Sequence, residues 1–168
     1  DKITKTDLLI SYFIISMYMT ILIIFPGEFA KNYKIGLVGV TLSYFLNLKV
    51  LLRIIRSPEI TDFKEQTKKT DGLDSVGVMA VIVLLMVVIS LALAVCFISC
   101  SGEGVYTNNP TFFDLFYYTI ITFATVGYGD ISPVSPIAKF MSIVISMTSI
   151  LCLTVFISSV LSYKGTGE

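Results

Sequence analysis

The sequence predicts an all-α membrane protein with four transmembrane helices and a re-entrant helix and loop between the third and fourth. Three observations carry this. Of the 168 residues, 55% are apolar and 14% charged, at a mean hydropathy of +0.85, whereas soluble domains carry about a quarter charged residues. The charges are also bunched. Twenty uncharged residues separate Asp7 from Glu28, 28 separate Asp74 from Glu103, and 24 separate Lys139 from Lys164. A bilayer core of about 30 Å takes about 20 helical residues to cross, so each tract is long enough. Finally, the uncharged run from Leu115 to Gly129 has 15 residues and holds two glycines, too short to cross as a helix and continue.

In chain order, residues 1–56 read as a two-helix hairpin. Thr6-Asp7 gives a helix start and Pro26-Gly27 a stop, so the first helix is expected from Thr6 to Phe25. The second is expected from Tyr33 to Ile55, with Asn47, Lys49 and Arg53 in its second half. Charge at mid-membrane depth is costly, but Lys and Arg near a helix end reach the headgroups. Lys49, Arg53 and Arg56 therefore read as interfacial anchors. A voltage sensor wants arginines at every third position through the membrane, and three basic residues at one end fall short of that. Weak or absent voltage dependence follows.

Residues 57–74 are polar and charged, a cytoplasmic linker with a short surface helix expected around Phe63. The third span is expected over 75–99; its Val, Ile, Leu and Ala suit a lipid-facing helix. Gly102, Gly104, Asn108, Asn109 and Pro110 mark a loop. Thr111-Phe112-Phe113-Asp114 then has the form of a capping box, opening a helix over 111–124. Extended chain returns over 125–130, since irregular backbone at membrane depth needs burial in protein or an aqueous cavity. Pro133 and Pro136 end it, the last helix covers 136–163, and 165–168 form a tail.

The returning chain reads Thr125-Val126-Gly127-Tyr128-Gly129-Asp130. Alternate glycines weaken a strand, yet they free the backbone to turn successive carbonyls to one side. A row of carbonyls can replace the hydration shell of a potassium ion. This hexapeptide resembles the selectivity-filter signature of the potassium-channel family, and 75–164 then corresponds to that family's pore domain. The resemblance implies ion coordination by the backbone of Thr125, Val126, Gly127, Tyr128 and Gly129, with potassium held at the first four and the Thr125 hydroxyl completing the innermost site. Asp130 would form an acidic ring at the outer mouth. One chain supplies one such segment and has no internal repeat of it, so a homotetramer is implied.

The same resemblance assigns filter support to Tyr117, Tyr118 and Thr122. Tyr117 would hydrogen-bond Asp130 and Tyr118 would brace Tyr128, although tyrosine is equally a residue of the membrane-interface belt. Ile121 stands where some bacterial relatives have a glutamate, which predicts no carboxylate partner for Asp130. Ser149 occupies the place of the family's hinge glycine and is the expected bend of the inner helix, with the hydroxyls of Thr148 and Ser149 as the groups that would bend it. Ile150, Leu153, Thr154, Ile157 and Leu161 are candidates to line the pore, or else face lipid or pack against other helices.

With four spans, both termini and the linker share a side. That side holds Lys2, Lys5, Lys49, Arg53, Arg56, Lys64, Lys68, Lys69 and Lys164, nine of twelve basic residues. The positive-inside bias makes it cytoplasmic and puts the loop outside, in a multi-pass plasma-membrane protein. A zero net charge without a basic run argues against nucleic acid. Cys96, Cys100 and Cys152 read as small buried residues, there being no histidine. No enzymatic activity and no cofactor are expected, potassium being the permeant ligand. The first apolar run lacks a signal-peptide cleavage site. The start at Asp1 leads us to expect a piece of a longer chain, with room for a cytoplasmic regulatory domain after Glu168. A transporter subunit, a non-selective cation channel and a non-conducting membrane scaffold are the rival readings.

Overall fold

The computed structural model describes residues 2–56 and 75–164, and among them the regular structure is helical. The expected linker helix near Phe63 and the tail lie outside these residues. The helices are α1 (Lys2–Ile24), α2 (Pro26–Lys31), α3 (Tyr33–Arg56), α4 (Ser75–Ser99), α5 (Phe112–Phe123) and α6 (Pro136–Lys164).

Pro26 ends α1, as its missing N–H and ring demand, but the chain does not loop there. Pro26 instead opens the short helix α2, the first helical turn being where a proline costs nothing. Among the described residues, α3, α4 and α6 are long and apolar enough to cross a membrane. The described apolar part of α1, Leu9–Ile24, is shorter than that.

Helices in lipid gain little from burying apolar surface, so association rests on close packing and interhelical hydrogen bonds. The contact face of α3 is built accordingly. Gly36, Val40, Ser43, Asn47 and Val50 are all buried at three- and four-residue spacing. Ser43 pairs with Ser11 of α1, Oγ to Oγ, at 2.6 Å. Asn47 donates to Ser90 of α4 at 3.4 Å, and Ser90 donates on to the Met86 carbonyl. At Gly36 the Phe97 ring comes so close that a Cβ would lie 2.2 Å from it. Phe97 is stacked on Phe29 with centroids 3.8 Å apart, and Tyr18 meets its edge at 5.3 Å.

From Ser90 on, the third span is the centre of the molecule, whereas Val81, Ile82 and Leu85 nearer its start are exposed. Every residue from Ser90 to Ile98 is buried, with α1, α3, α5 and α6 packed around α4. A helix apolar on all sides suits lipid and a protein interior equally, and over Ser90–Ile98 the second holds. The Cys96 thiol donates to the Phe112 carbonyl at 3.9 Å, tying α4 to the start of α5.

Candidate ion-conduction site

The re-entrant segment begins with the capping box that its sequence predicts. The Thr111 hydroxyl accepts from the Asp114 N–H at 3.3 Å, and the Asp114 carboxylate accepts from the Thr111 N–H at 2.8 Å and its hydroxyl at 2.7 Å. The Thr111 hydroxyl and N–H hold the Asp114 carboxyl below the usual carboxylate range. Twelve helical residues follow, with Thr111 and Ala124 as the two caps of the expected 111–124 segment. At 1.5 Å per residue this is about 18 Å, roughly half a bilayer core.

At its C-terminus the helix is folded over on itself. The Ile121 carbonyl accepts from both Val126 N–H (2.9 Å) and Gly127 N–H (3.2 Å), and Thr122 accepts from Thr125 N–H (3.1 Å). The next residues therefore start under the helix end, whose partial negative charge favours a cation. Thr125, Gly127 and Gly129 have φ of 59°, 55° and 81°, while Val126 and Tyr128 between them do not take positive φ. Alternation of left- and right-handed residues is a backbone pattern that can turn successive carbonyls to one side. The two glycines satisfy this cheaply. Thr125 does not: a β-branched residue at positive φ is an outlier of the kind that collects at functional sites. The sequence gives no signal for it, because only the glycines advertise the left-handed region.

Among the described residues, the carbonyls of Thr125, Val126, Gly127 and Tyr128 accept no hydrogen bond. That of Gly129 differs, since the Ser132 hydroxyl donates to it at 3.2 Å. Gly129 thus turns the chain and closes the row; it is not a fifth free acceptor. The whole segment is exposed in one chain, Val126 by 52% and Tyr128 by 72%.

The return leg is clasped by the loop before Thr111, which the sequence marks only as a connector. Thr107 and Ser132 exchange backbone and side-chain hydrogen bonds at 3.0 and 2.9 Å, and the Val105 carbonyl accepts from Val134 and Ser135. Asn108 Nδ2 donates to the Asp130 carbonyl at 3.0 Å. Asn108 and Asn109 take positive φ, which asparagine tolerates best among residues with a Cβ. The run Asn108-Asn109-Pro110 was the available signal.

Of the expected support residues, Tyr117 lies in the neighbourhood of Asp130 and Tyr128. Within the chain Tyr118 reaches α6 rather than Tyr128. Its hydroxyl meets Ser142 Oγ at 2.6 Å and its ring meets the edge of Tyr106 at 5.4 Å. The Thr122 carbonyl, as noted, holds Thr125, and Ile121 is buried.

Helix α6 runs unbroken through Ser149, which is buried. Its neighbour Thr148 donates to the carbonyl four residues back, Val144, at 2.7 Å. Ile150, Leu153 and Thr154 are exposed, as are Met147 and Ile143 earlier on the same helix. Ile157 and Leu161 are on the same helix; their side chains are outside the described ones.

A capped twelve-residue helix that hands over to exposed irregular backbone, between two helices long and apolar enough to cross a membrane, has the form of a pore-loop membrane protein. Comparison with known proteins agrees. The family model described as "Ion channel" matches residues 78–163, half of the chain, and the chain belongs to that family. Over 102 residues it is 33% identical to two-pore potassium channel 4 of Arabidopsis thaliana, covering 59% of this chain and 35% of the relative. Over 58 residues it is 47% identical to a hyperpolarization-activated voltage-gated potassium channel of Methanocaldococcus jannaschii, 30% of this chain and 27% of that one. A voltage-gated potassium channel of Aeropyrum pernix is 42% identical over 48 residues, 29% and 16% of the two chains. The chain thus spans about a third or less of the curated relatives it matches. No solved structure matches it.

Proposed function

We propose that the chain is one subunit of a homotetrameric, potassium-selective channel that passes ions passively down their gradient. One observation carries the reading: φ is positive at Thr125, Gly127 and Gly129, and among the described residues the carbonyls of Thr125, Val126, Gly127 and Tyr128, in an exposed segment, accept no hydrogen bond. At membrane depth such backbone is tolerable only when buried in protein or lining an aqueous path. One chain offers a single side of that path, and four copies about an axis surround an ion. The relatives, all named as potassium channels, support the choice of ion.

Asp130 collects cations at the outer mouth, and the open face of α6 lines the inner half. Four spans in the plasma membrane, with both termini cytoplasmic, fit the charge bias. Three basic residues at the end of α3 make conduction at most weakly voltage-dependent. Vesicles reconstituted with the protein test this directly. Potassium should enter without an energy source while sodium is excluded, and native mass measurement should give four copies. Equal sodium and potassium flux overturns the selectivity, and a lone chain overturns the assembly.

A further inference from the structure

The role of α1–α3 is the part of the fold that the conduction site leaves unexplained. Within the described residues, α3 reaches past α4 to touch the inner helix at one hydrogen bond. The Tyr44 hydroxyl lies 2.7 Å from Thr148 Oγ1 across 104 residues of sequence, and Thr148 is 2% exposed. Thr148 has one hydroxyl proton, which goes to the Val144 carbonyl at 2.7 Å. The Tyr44 hydroxyl is therefore the donor in the pair, and the three groups form a relay from Tyr44 to Thr148 to Val144.

Such a relay matters at this place. A threonine hydroxyl bonded to the carbonyl four residues back competes with the helix's own ladder and bends it slightly. A donor feeding that hydroxyl polarises it and strengthens the bond. The same device occurs once more on α6, where Tyr118 of the re-entrant helix pairs with Ser142, and Ser142 donates to the Ala138 carbonyl at 2.9 Å. The upper half of α6 is thus gripped by two tyrosines. Below Thr148, a small apolar cluster of Val50, Leu51 and Val83 takes in Leu84 and Cys152, while Leu151, Leu153 and Thr154 stand exposed.

We propose that Tyr44 is a positioning residue for the inner helix: through Thr148 it sets the hydrogen bonding of α6 in the Val144–Thr148 turn, and so couples the N-terminal hairpin to opening of the inner half of the pore. This rests on the channel reading above. Tyr44 touches no part of the Thr125–Asp130 row, so it acts on the open-to-closed ratio and not on ion choice.

Single-channel recording of Tyr44→Phe, Thr148→Val and the double variant in planar bilayers is the test, with Thr148→Ser as the hydroxyl-preserving control. One net hydrogen bond corresponds to a roughly 2- to 12-fold shift in the open-to-closed ratio. Each single variant should show it, the double should add nothing, Thr148→Ser should behave as the parent, and the potassium-over-sodium ratio should stay unchanged. An unshifted ratio in Tyr44→Phe, additive effects, or altered selectivity overturns the proposal. Amide hydrogen exchange separates this from failure of the channel reading. In Tyr44→Phe the amides of Thr148–Cys152 should exchange faster whether or not current flows, and unchanged exchange overturns the relay even in a conducting protein. A parent that passes no potassium sinks the channel reading instead.

Discussion

Replacing Gly127 by alanine isolates the backbone requirement of the site. Two costs accompany a new methyl group: the space it needs and the φ it tolerates. At Gly127 a Cβ meets nothing within 4 Å in the chain, while φ is 55°. Only the second cost operates, and for an L-residue it is about 1–2 kcal/mol in the left-handed region. That lowers the share of chains holding the alternation by a factor of roughly 5 to 30. If four chains must hold it together, the losses multiply and potassium flux from vesicles should fall below detection. Packing around Phe97 and α4 lies elsewhere, so helical circular dichroism and the melting temperature should stay near those of the parent. Gly27→Ala is the matched control, with open space and no positive φ. It should conduct normally and be slightly stabilised, helical glycine costing up to about 1 kcal/mol against alanine. Full flux and selectivity in Gly127→Ala would refute the role given to the left-handed residues.

Other substitutions probe the scaffold. Gly36→Ala drives a Cβ into the Phe97 ring, which cannot yield because Phe29 and Tyr18 enclose it. It should cost about 1–3 kcal/mol, read as a lowered melting temperature in detergent. Asn108→Ala removes the donor to the Asp130 carbonyl; about 1 kcal/mol of local stability should be lost, seen as faster amide exchange over residues 130–134. The Asp114 carboxyl is lowered in the folded chain, so its stabilising contribution is complete above its unfolded pKa and is lost as pH falls through the folded one. Melting temperature should therefore drop on acidification through that acid range, and Asp114→Asn should flatten this part of the profile.

Local features were legible in the sequence because their causes are local. The capping box at Thr111 and Asp114 needs residues three apart, and it formed as read. The turn at Pro26 was visible too, although α2 was not, since proline marks the end of one helix and the first turn of another equally well. Hydropathy placed α4 in the membrane but could not choose between lipid and protein neighbours, because both are apolar solvents for a side chain. At the conduction site, Gly127 and Gly129 announced their backbone state, and Thr125 did not.

What the sequence by itself determined is therefore the apolar class of the chain, the long tracts, the capped short helix and the hexapeptide Thr125–Asp130. Composition, periodicity and short-range hydrogen bonding are enough for those. Tertiary structure alone decided that α4 is the hub, that Gly129 closes the carbonyl row on Ser132, that Asn108 clasps the return leg, and that Tyr44 meets Thr148. Each joins groups set by the path of the backbone and by which side chains meet, and no local pattern in the chain encodes such a pairing.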